Sequence, residues 1–276
     1  MARFDILFFD LDGTLLGPDH AAVSPRNQAA LRAASRAGVR LAFATGRCLD
    51  LISPEARSLP FDYAVTSNGT AVHDLRTGKR LLRRCFTPAE AGPACRAAAR
   101  LVDFFELFAD GQVRLLARDH AQLGTRPLPP WHEKYFADHP LPPLGTLAEY
   151  LAAGAPGLEK LNMNRCDPAA LERLRAELTP MGLYEVTASA GVGLLEVVPK
   201  GCTKGAGIRW LCESQGLDIR RTAAFGDGGN DLEMLQTVGC GVAMGNADNT
   251  LKAVADAVTA PYDRDGVAQF IEQYVL

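Results

Sequence analysis

Short, mainly apolar segments alternate with amphipathic segments in the first part of the chain, and each apolar segment ends in a turn sequence. The amphipathic segment between the first two begins at Ser24-Pro25, a typical helix start, and ends at Gly38, a typical helix stop. The apolar segments are Ile6–Phe9, Val39–Ala44 and Tyr63–Thr66. Apolar segments of this length are typical of parallel strands buried on both faces. The order therefore predicts a doubly wound α/β sheet with right-handed crossovers.

The pattern changes after a predicted hairpin around the turn Asp74–Gly78 and becomes a mixture of helices and strands. The elements predicted in this part are helices at 87–101 and 168–178 and strands at 158–163, 183–188 and 193–198. The segment Arg126–Gly145 contains six prolines and is predicted to be an irregular loop, whose role the sequence does not indicate. This part of the chain is therefore predicted to be an α+β module.

The α/β alternation then returns, with predicted strands at Thr222–Gly226 and Cys240–Met244 and a helix before each of them. A chain of 276 residues is long enough for one α/β core and an inserted module. We therefore predict a doubly wound, Rossmann-like parallel-sheet core formed by residues 1–85 and 191–276, with an α+β domain at residues 86–190 inserted into it.

Charge and composition argue against several classes of function. The formal net charge is −3, the isoelectric point is near 6.0 and no basic tract is present, which argues against nucleic acid or an anionic membrane as a partner. The sequence has no signal-peptide pattern and no long apolar span, and its seven cysteines are scattered without a CxxC pair. We therefore expect a cytoplasmic protein, and the sequence leaves the oligomeric state open.

Two carboxylates follow the first predicted strand, in the stretch from Arg3 to Leu16. Asp10 stands at the carboxyl end of this strand, where open α/β sheets bind ligands, and Asp12 lies two residues further on. In extended geometry both side chains leave the backbone on the same side, and Gly13 allows a sharp turn after them. Two like charges in one cleft need a cation or a shared proton. The alternative for this motif alone is an ordinary Asp-rich turn.

Further polar residues follow the other predicted strands or begin predicted helices. These residues are Thr45 with Gly46, Lys204, Asp227, and Asn230 with Asp231. Such residue types suit phosphoryl transfer, because one carboxylate can act as nucleophile and a second can move a proton. Mg²⁺ binds carboxylates together with phosphate oxygens, a Thr at a strand–helix turn can hold phosphate, and a Lys offsets charge. The pattern therefore indicates a site for a phosphorylated small molecule.

The motifs DLDGT, TGR, SNG, PKGxxKG and GDGGND occur in this order along the chain. Together they closely resemble the haloacid dehalogenase superfamily, and in particular its Cof-like branch with a type-IIB cap. The resemblance implies that the inserted α+β domain is a cap that determines substrate specificity. It also implies a Mg²⁺-dependent phosphatase that hydrolyses phosphomonoesters of small metabolites, such as sugar phosphates, through an aspartyl-phosphate intermediate.

The resemblance also implies catalytic and metal-binding residues. Asp10 resembles the nucleophile and Asp12 the general acid/base, and both are expected at the metal, Asp12 through its backbone carbonyl. Asp227 resembles the side-chain ligand of Mg²⁺. Asp231 resembles a residue that either joins the metal shell or orients Lys204, although a simple helix cap is an alternative at this position.

A second group of residues is implied to bind phosphate or substrate. Thr45 and Gly46 resemble the phosphate-binding turn, and Lys204 resembles the lysine that clamps the phosphate. Asn230 is expected to contact phosphate. Asn68 is expected near the substrate, although SNG is also an ordinary turn sequence.

Two other functions remain open on the same residues. One is a phosphotransferase or phosphomutase similar to phosphomannomutases, whose product would keep the phosphate. The other is a non-catalytic protein that binds a phosphorylated ligand. Outside the motifs, Arg47 is expected to pair with a core acid rather than to clamp substrate. The histidines are expected at the surface or in loops without metal spacing, and they include His73, His120, His132 and His139.

Overall fold

A computed structural model describes residues 4–189 and 193–276, so that Arg3 and the predicted boundary at residues 190 and 191 lie outside the described residues. The strands are β1 (Ile6–Phe9), β2 (Arg40–Ala44), β3 (Tyr63–Thr66), β4 (Ala71–Asp74), β5 (Lys79–Arg83), β6 (Glu106–Ala109), β7 (Gln112–Arg114), β8 (Leu158–Met163), β9 (Tyr184–Ser189), β10 (Leu194–Pro199), β11 (Thr222–Gly226), β12 (Cys240–Ala243) and β13 (Ala257–Val258). The helices are α1 (Pro25–Arg36), α2 (Pro54–Arg57), α3 (Pro88–Leu101), α4 (Ala117–His120), α5 (Pro130–Asp138), α6 (Leu147–Ala152), α7 (Pro168–Leu178), α8 (Lys204–Ser214), α9 (Leu232–Thr237), α10 (Asn249–Val254) and α11 (Gly266–Tyr274). Within the described ranges, no helix is both long and apolar enough to cross a membrane.

The first compact unit consists of the chain up to Arg47, Ile52–Arg83 and Thr203–Leu276. Its eight-stranded sheet has the order β13-β12-β11-β1-β2-β3-β4-β5. The strands from β13 to β3 are parallel, and β4 and β5 add an antiparallel edge. The central strand β1 lies between β2 and β11, so the two halves of the unit meet at this strand. The parallel-sheet core predicted from the sequence is thereby confirmed.

The central parallel strands of this sheet, from β12 to β3, are buried on both faces, as their continuous apolar sequences predict. On one face, the rings of Phe9 and Phe225 stack at 4.9 Å, and Phe270 of α11 meets Phe225 edge-on at 5.1 Å. On the other face, Phe8 belongs to a buried cluster that includes Ile208 of α8 and residues of α9. Aromatic and aliphatic layers on opposite faces therefore fix β1 in place, and with it the residues that follow it.

The second compact unit consists of Cys48–Leu51 and Arg84–Cys202. Its five-stranded antiparallel sheet has the order β7-β6-β8-β10-β9. Helices α3 and α7 contribute residues to a buried apolar cluster with this sheet. The unit is an α+β structure, and its role as a separate specificity domain stays a prediction.

Strand β10 corrects the predicted boundary of the core. The predicted core includes residues from 191 onward, but β10 pairs with both β8 and β9 in the second unit's sheet. The last segment of the first unit begins at Thr203 instead. The reason is that β10 forms an antiparallel pair with β9. Its apolar sequence is compatible with either sheet, so the pattern alone does not show to which unit the strand belongs.

The Pro-rich segment 126–145 is not wholly irregular, which corrects the predicted loop. It contains α5, which begins with Pro130 at its first position, where a missing N–H costs no hydrogen bond. No proline follows within this helix. His132 lies on α5 and is buried rather than exposed, with its Nε2 atom 3.0 Å from the Oε1 atom of Glu106. The side chain of His132 thus belongs to the interior of the second unit.

Candidate active site

Several predicted site residues lie within two residues of the carboxyl ends of strands in the first unit's sheet. Asp10 follows β1, Thr45 follows β2, Asn68 follows β3 and Asp227 follows β11. Because these four strands are parallel and paired in register, their carboxyl ends lie at one edge of the sheet. All of the residues described in this subsection belong to the first compact unit.

Lys204 forms a buried ionic bridge between two of the predicted carboxylates. As the first residue of α8, it lies 2.8 Å from Asp10 Oδ1 and donates to Asp231 Oδ1 at 2.6 Å. The Lys204 side chain has no exposed area, and the helix start is held by Thr203, whose hydroxyl accepts from the Ala206 amide. The bridge therefore places a fixed positive charge beside Asp10.

Asp231 is fully engaged by hydrogen bonds. While Oδ1 accepts from Lys204, Oδ2 accepts from the backbone N–H groups of Asp227 and Gly228, each at 2.9 Å. These bonds show that Asp231 shapes the turn that presents Asp227, rather than capping α9. A Cβ atom on Gly226 would lie 2.5 Å from Asp231 Cγ, so this close packing requires glycine at residue 226.

Asp10, Asp227 and Asp231 form a carboxylate cluster in which one oxygen of each lies within 4.8 Å of the others. Lys204 supplies one positive charge against these three negative charges, so the group carries a net charge of about −2 when all are ionised. Buried charges require compensation, and carboxylate oxygens are the ligands that divalent cations such as Mg²⁺ prefer. The donor set therefore fits a divalent metal.

The pKa values reflect this crowding. Burial, together with the neighbouring charge of Asp231, raises the pKa of Asp10 well above its ordinary value despite Lys204. Burial and the same Asp231 charge raise the pKa of Asp227 to about 6. Burial alone would lower the pKa of Lys204, but Asp10 and Asp231 raise it above its ordinary value, so the ammonium stays charged.

Asp12 does not join the carboxylate cluster of the described residues, because its side chain is held by two other groups. Arg47 donates to both of its oxygens, with Nε 2.8 Å from Oδ2, and the His20 Nδ1 atom lies 2.7 Å from Oδ1. Burial opposes ionisation, but Arg47 and His20 outweigh it and hold the pKa of Asp12 well below its usual range. Asp12 is therefore in its proton-accepting form.

The turns after β2 and β3 are bonded to each other. The Thr45 hydroxyl accepts from the Arg47 amide, and the Thr45 carbonyl accepts from the Asn68 amide at 3.1 Å. Ser67 and Asn68 both have left-handed φ angles, 50° and 54°, which are uncommon outside glycine. This strained turn directs the Asn68 side chain, whose Oδ1 accepts from Asn230 Nδ2 at 3.1 Å.

Two site residues, His20 and Asn246, were not predicted from the sequence. Arg47 pairs with an acid as expected, but that acid is Asp12, and His20 reaches the same carboxylate from a loop that gives no local signal. Asn246, after β12, donates to Asp227 Oδ2 at 3.1 Å. The strand-end position of Asn246 was the one available signal, since β12 is parallel to β11 and ends at the same edge.

The sequence pattern that defines the haloacid dehalogenase-like hydrolases matches residues 7–102 and 160–271. An HMP-PP phosphatase from Shigella boydii is 32% identical over 262 residues, covering 92% of this chain and 92% of the relative. The 5-amino-6-(5-phospho-D-ribitylamino)uracil phosphatase YwtE of Bacillus subtilis is 29% identical over 284 residues, covering 96% of each chain. Both relatives are therefore similar to this chain over almost its full length.

A solved sugar phosphatase of HAD subclass IIB superposes with a TM-score of 0.76 at 23% identity, with 98% of each chain covered. At this identity the likeness concerns the fold, and it confirms the parallel-sheet core with a cap predicted from the sequence. Together with the match to the family's defining pattern, the curated relatives confirm the resemblance inferred from the order of the motifs. The chain belongs to the haloacid dehalogenase-like hydrolases.

Proposed function

We propose that this protein is a Mg²⁺-dependent phosphatase that hydrolyses phosphomonoesters of small metabolites through an aspartyl-phosphate on Asp10. The observation that carries the proposal is the buried Asp10 carboxylate, which lies 2.8 Å from the Lys204 ammonium and within the carboxylate cluster. A carboxylate next to a fixed cation and a divalent-metal donor set is equipped to attack a phosphoryl group.

Asp10 and Asp227 would hold the metal, together with the backbone carbonyl of Asp12. When bound, Mg²⁺ would offset the negative charge of the phosphate oxygens. Asp231 is assigned to orientation of Lys204, because Oδ1 accepts from the Lys204 ammonium and both lone pairs of Oδ2 accept from backbone N–H groups of the turn. This assignment chooses between the two roles that the sequence left open for Asp231.

The first chemical step uses Asp10 and Asp12. An Asp10 oxygen forms a bond to phosphorus while the ester bond to the leaving oxygen breaks. In this step Asp12 acts in its protonated form, which Arg47 disfavours in the free site, and gives its proton to that oxygen. In the second step, Asp12 accepts a proton from water, whose oxygen attacks phosphorus and displaces Asp10. The Arg47 pair favours the ionised form of Asp12 that this second step requires.

The phosphate group is proposed to lie against the turns after β2 and β3. The Thr45 hydroxyl and the Gly46 amide would bind its oxygens, with Lys204 opposite them. Asn230 and Asn68, which are joined by a hydrogen bond of 3.1 Å, would contact phosphate and substrate as one unit.

Phosphate release from a panel of small phosphorylated metabolites tests this proposal. The panel should contain sugar phosphates and the two compounds for which the curated relatives are named. We expect release of inorganic phosphate that stops in EDTA and returns with added Mg²⁺. A product that keeps the phosphate would favour the phosphotransferase alternative, and binding without turnover would favour a non-catalytic protein.

The affinity for Mg²⁺ should fall below pH 6. Asp227 has a pKa of about 6, so below this pH the metal must displace a proton. Each displaced proton corresponds to about a tenfold loss of apparent affinity per pH unit, and Asp10, whose pKa is also raised, adds to this loss. Calorimetric titration with Mg²⁺ between pH 5 and pH 8 measures this slope, and equal affinities at pH 5 and pH 7 would contradict it.

The same pKa gives a stability prediction of definite sign. Between the unfolded value of 3.8 and the folded value of about 6, the folded state binds more protons at Asp227, so this group's contribution to stability falls as pH rises. Metal-free protein should therefore gain stability from Asp227 on going from pH 7 to pH 5. The increase in melting temperature on adding Mg²⁺ should accordingly be larger at pH 7.

Substitution of Gly13 should lower activity by displacing the carboxylate of Asp227. Gly13 has a φ of +72°, and a Cβ atom there would lie 2.2 Å from Asp227 Oδ2. Gly13→Ala should therefore displace this carboxylate and lower phosphate release by at least about tenfold, with a stability loss above the roughly 1–2 kcal/mol of left-handed strain. Phosphate release and urea unfolding measure the two effects.

Gly78→Ala is the matched control, because Gly78 has a φ of +71° and no atom within 4 Å of a Cβ placed there. This variant carries the same backbone strain without the clash. It should lose stability but keep its activity, and equal activity in the two variants would refute the proposed contact with Asp227.

A further inference from the structure

Asn246, which follows β12, contacts the proposed metal ligand Asp227. Its Nδ2 atom donates to the Gly13 carbonyl at 2.9 Å and to Asp227 Oδ2 at 3.1 Å. Its Oδ1 atom accepts from the backbone N–H of Tyr262 at 3.1 Å. Both ends of the amide are thus engaged, and the orientation of the side chain is set by its partners.

The chemistry of these contacts requires an amide. Two acceptors face Nδ2 and one donor faces Oδ1, a combination that a primary amide satisfies completely. A carboxylate at residue 246 would place an oxygen against the Gly13 carbonyl and Asp227, with repulsion from both. An aliphatic side chain would leave Asp227 without this donor.

The turn that carries Asn246 is fixed from two directions. Lys252 of α10 donates to the Gly245 carbonyl at 2.7 Å, and a Cβ atom on Gly245 would lie 2.7 Å from Pro261 Cδ. The Asn246 side chain itself is exposed to solvent. Exposed hydrogen bonds contribute little to folding, so a role in stability does not account for these three bonds.

We propose that Asn246 is a positioning residue that fixes the Asp227 carboxylate for metal binding. Thr14 donates to Asp227 Oδ1 at 3.2 Å while Asn246 donates to Oδ2, so the carboxylate is held at both oxygens. Each oxygen keeps a further lone pair for a cation. The inference rests on the proposed function, because it concerns the metal that this function requires.

Titration calorimetry with Mg²⁺ on the full-length metal-free protein tests the role of Asn246. Asn246→Ala should bind Mg²⁺ about tenfold more weakly than the parent protein, the size of effect usual for residues that orient a metal ligand. Asn246→Ser, which keeps a shorter donor, should lie between the two. Saturating Mg²⁺ should restore most of the turnover, and the melting temperature without metal should change little.

Asn249→Ala is the control, since Asn249 is an exposed residue at the start of α10 in the same segment. Its Mg²⁺ affinity should equal that of the parent protein. Parent-like affinity in both Asn246 variants would overturn the inference alone, while a parent protein that binds no Mg²⁺ would overturn the proposed function as well. If Asn246→Ala does not fold, the affinity of Asn246→Ser decides between these outcomes.

Discussion

Asp10→Asn should lower phosphate release by at least about a thousandfold, which corresponds to ~4 kcal/mol in the activation barrier. The neutral amide cannot form the aspartyl-phosphate, and among the described residues the other carboxylate beside Lys204 is that of Asp231. Asp231 also contacts Lys204, but its second oxygen is bound to the backbone of the turn. A phosphate-release assay at saturating Mg²⁺ measures the loss.

The same substitution should not weaken the fold of the metal-free protein. The pKa of Asp10 is raised well above its ordinary value by burial and by Asp231, so the ionised carboxylate is unfavourable in the folded state near pH 7. Asparagine removes this charge, while Lys204 keeps its bond to Asp231. The melting temperature without metal should therefore stay the same or rise. Such a result is expected for a residue that is kept for activity at a cost in stability.

Asp263→Asn provides a control, because Asp263 is an exposed carboxylate of the same compact unit. It removes one negative charge without touching the carboxylate cluster, and its phosphate release should equal that of the parent protein. Residual turnover in Asp10→Asn above a few per cent of the parent rate would show that Asp10 is not the nucleophile.

The parallel core could be predicted because its strands are buried on both faces. A strand such as β3 shows a continuous apolar pattern that ends where the chain turns, and the predicted bounds Tyr63–Thr66 are those in the structure. Parallel strands then align their carboxyl ends. The grouping of Asp10 with Asp227, separated by most of the chain, follows from this geometry and from no local feature.

Contacts made by side chains across loops could not be predicted in the same way. Asn246 and Gly13 are 233 positions apart, and the bond between them depends on the exact course of two turns. The pairing of Arg47 with Asp12 likewise depends on a loop. This loop places the His20 carbonyl where Arg47 donates to it and the His20 ring beside Asp12. Helix α5 was not predicted for a different reason. The prolines before and after it indicate a loop, although residues 131–138 contain no proline and can form a helix.

Removal of the Lys204 charge should have the largest effect on stability. Lys204 is fully buried and compensates Asp10 and Asp231, so Lys204→Met would leave these carboxylates facing each other without a cation. Breaking a buried ion pair from one side typically costs about 3–5 kcal/mol. We expect a loss of this size near pH 7, measured by urea unfolding without metal, together with the loss of phosphate release.

The pH dependence and a second substitution identify the cause of this loss. Acid should reduce the destabilisation, because protonation of Asp10, whose pKa is raised well above its ordinary value, removes a charge that Lys204 no longer offsets. Lys204→Met combined with Asp231→Asn should likewise recover part of the lost stability, since the two residues are in direct contact. Lys79→Met, at an exposed position of β5, controls for the loss of a lysine elsewhere in the same unit. An equal loss at pH 5 and pH 7, with no recovery in the double variant, would mean that Lys204 acts through packing rather than through its charge.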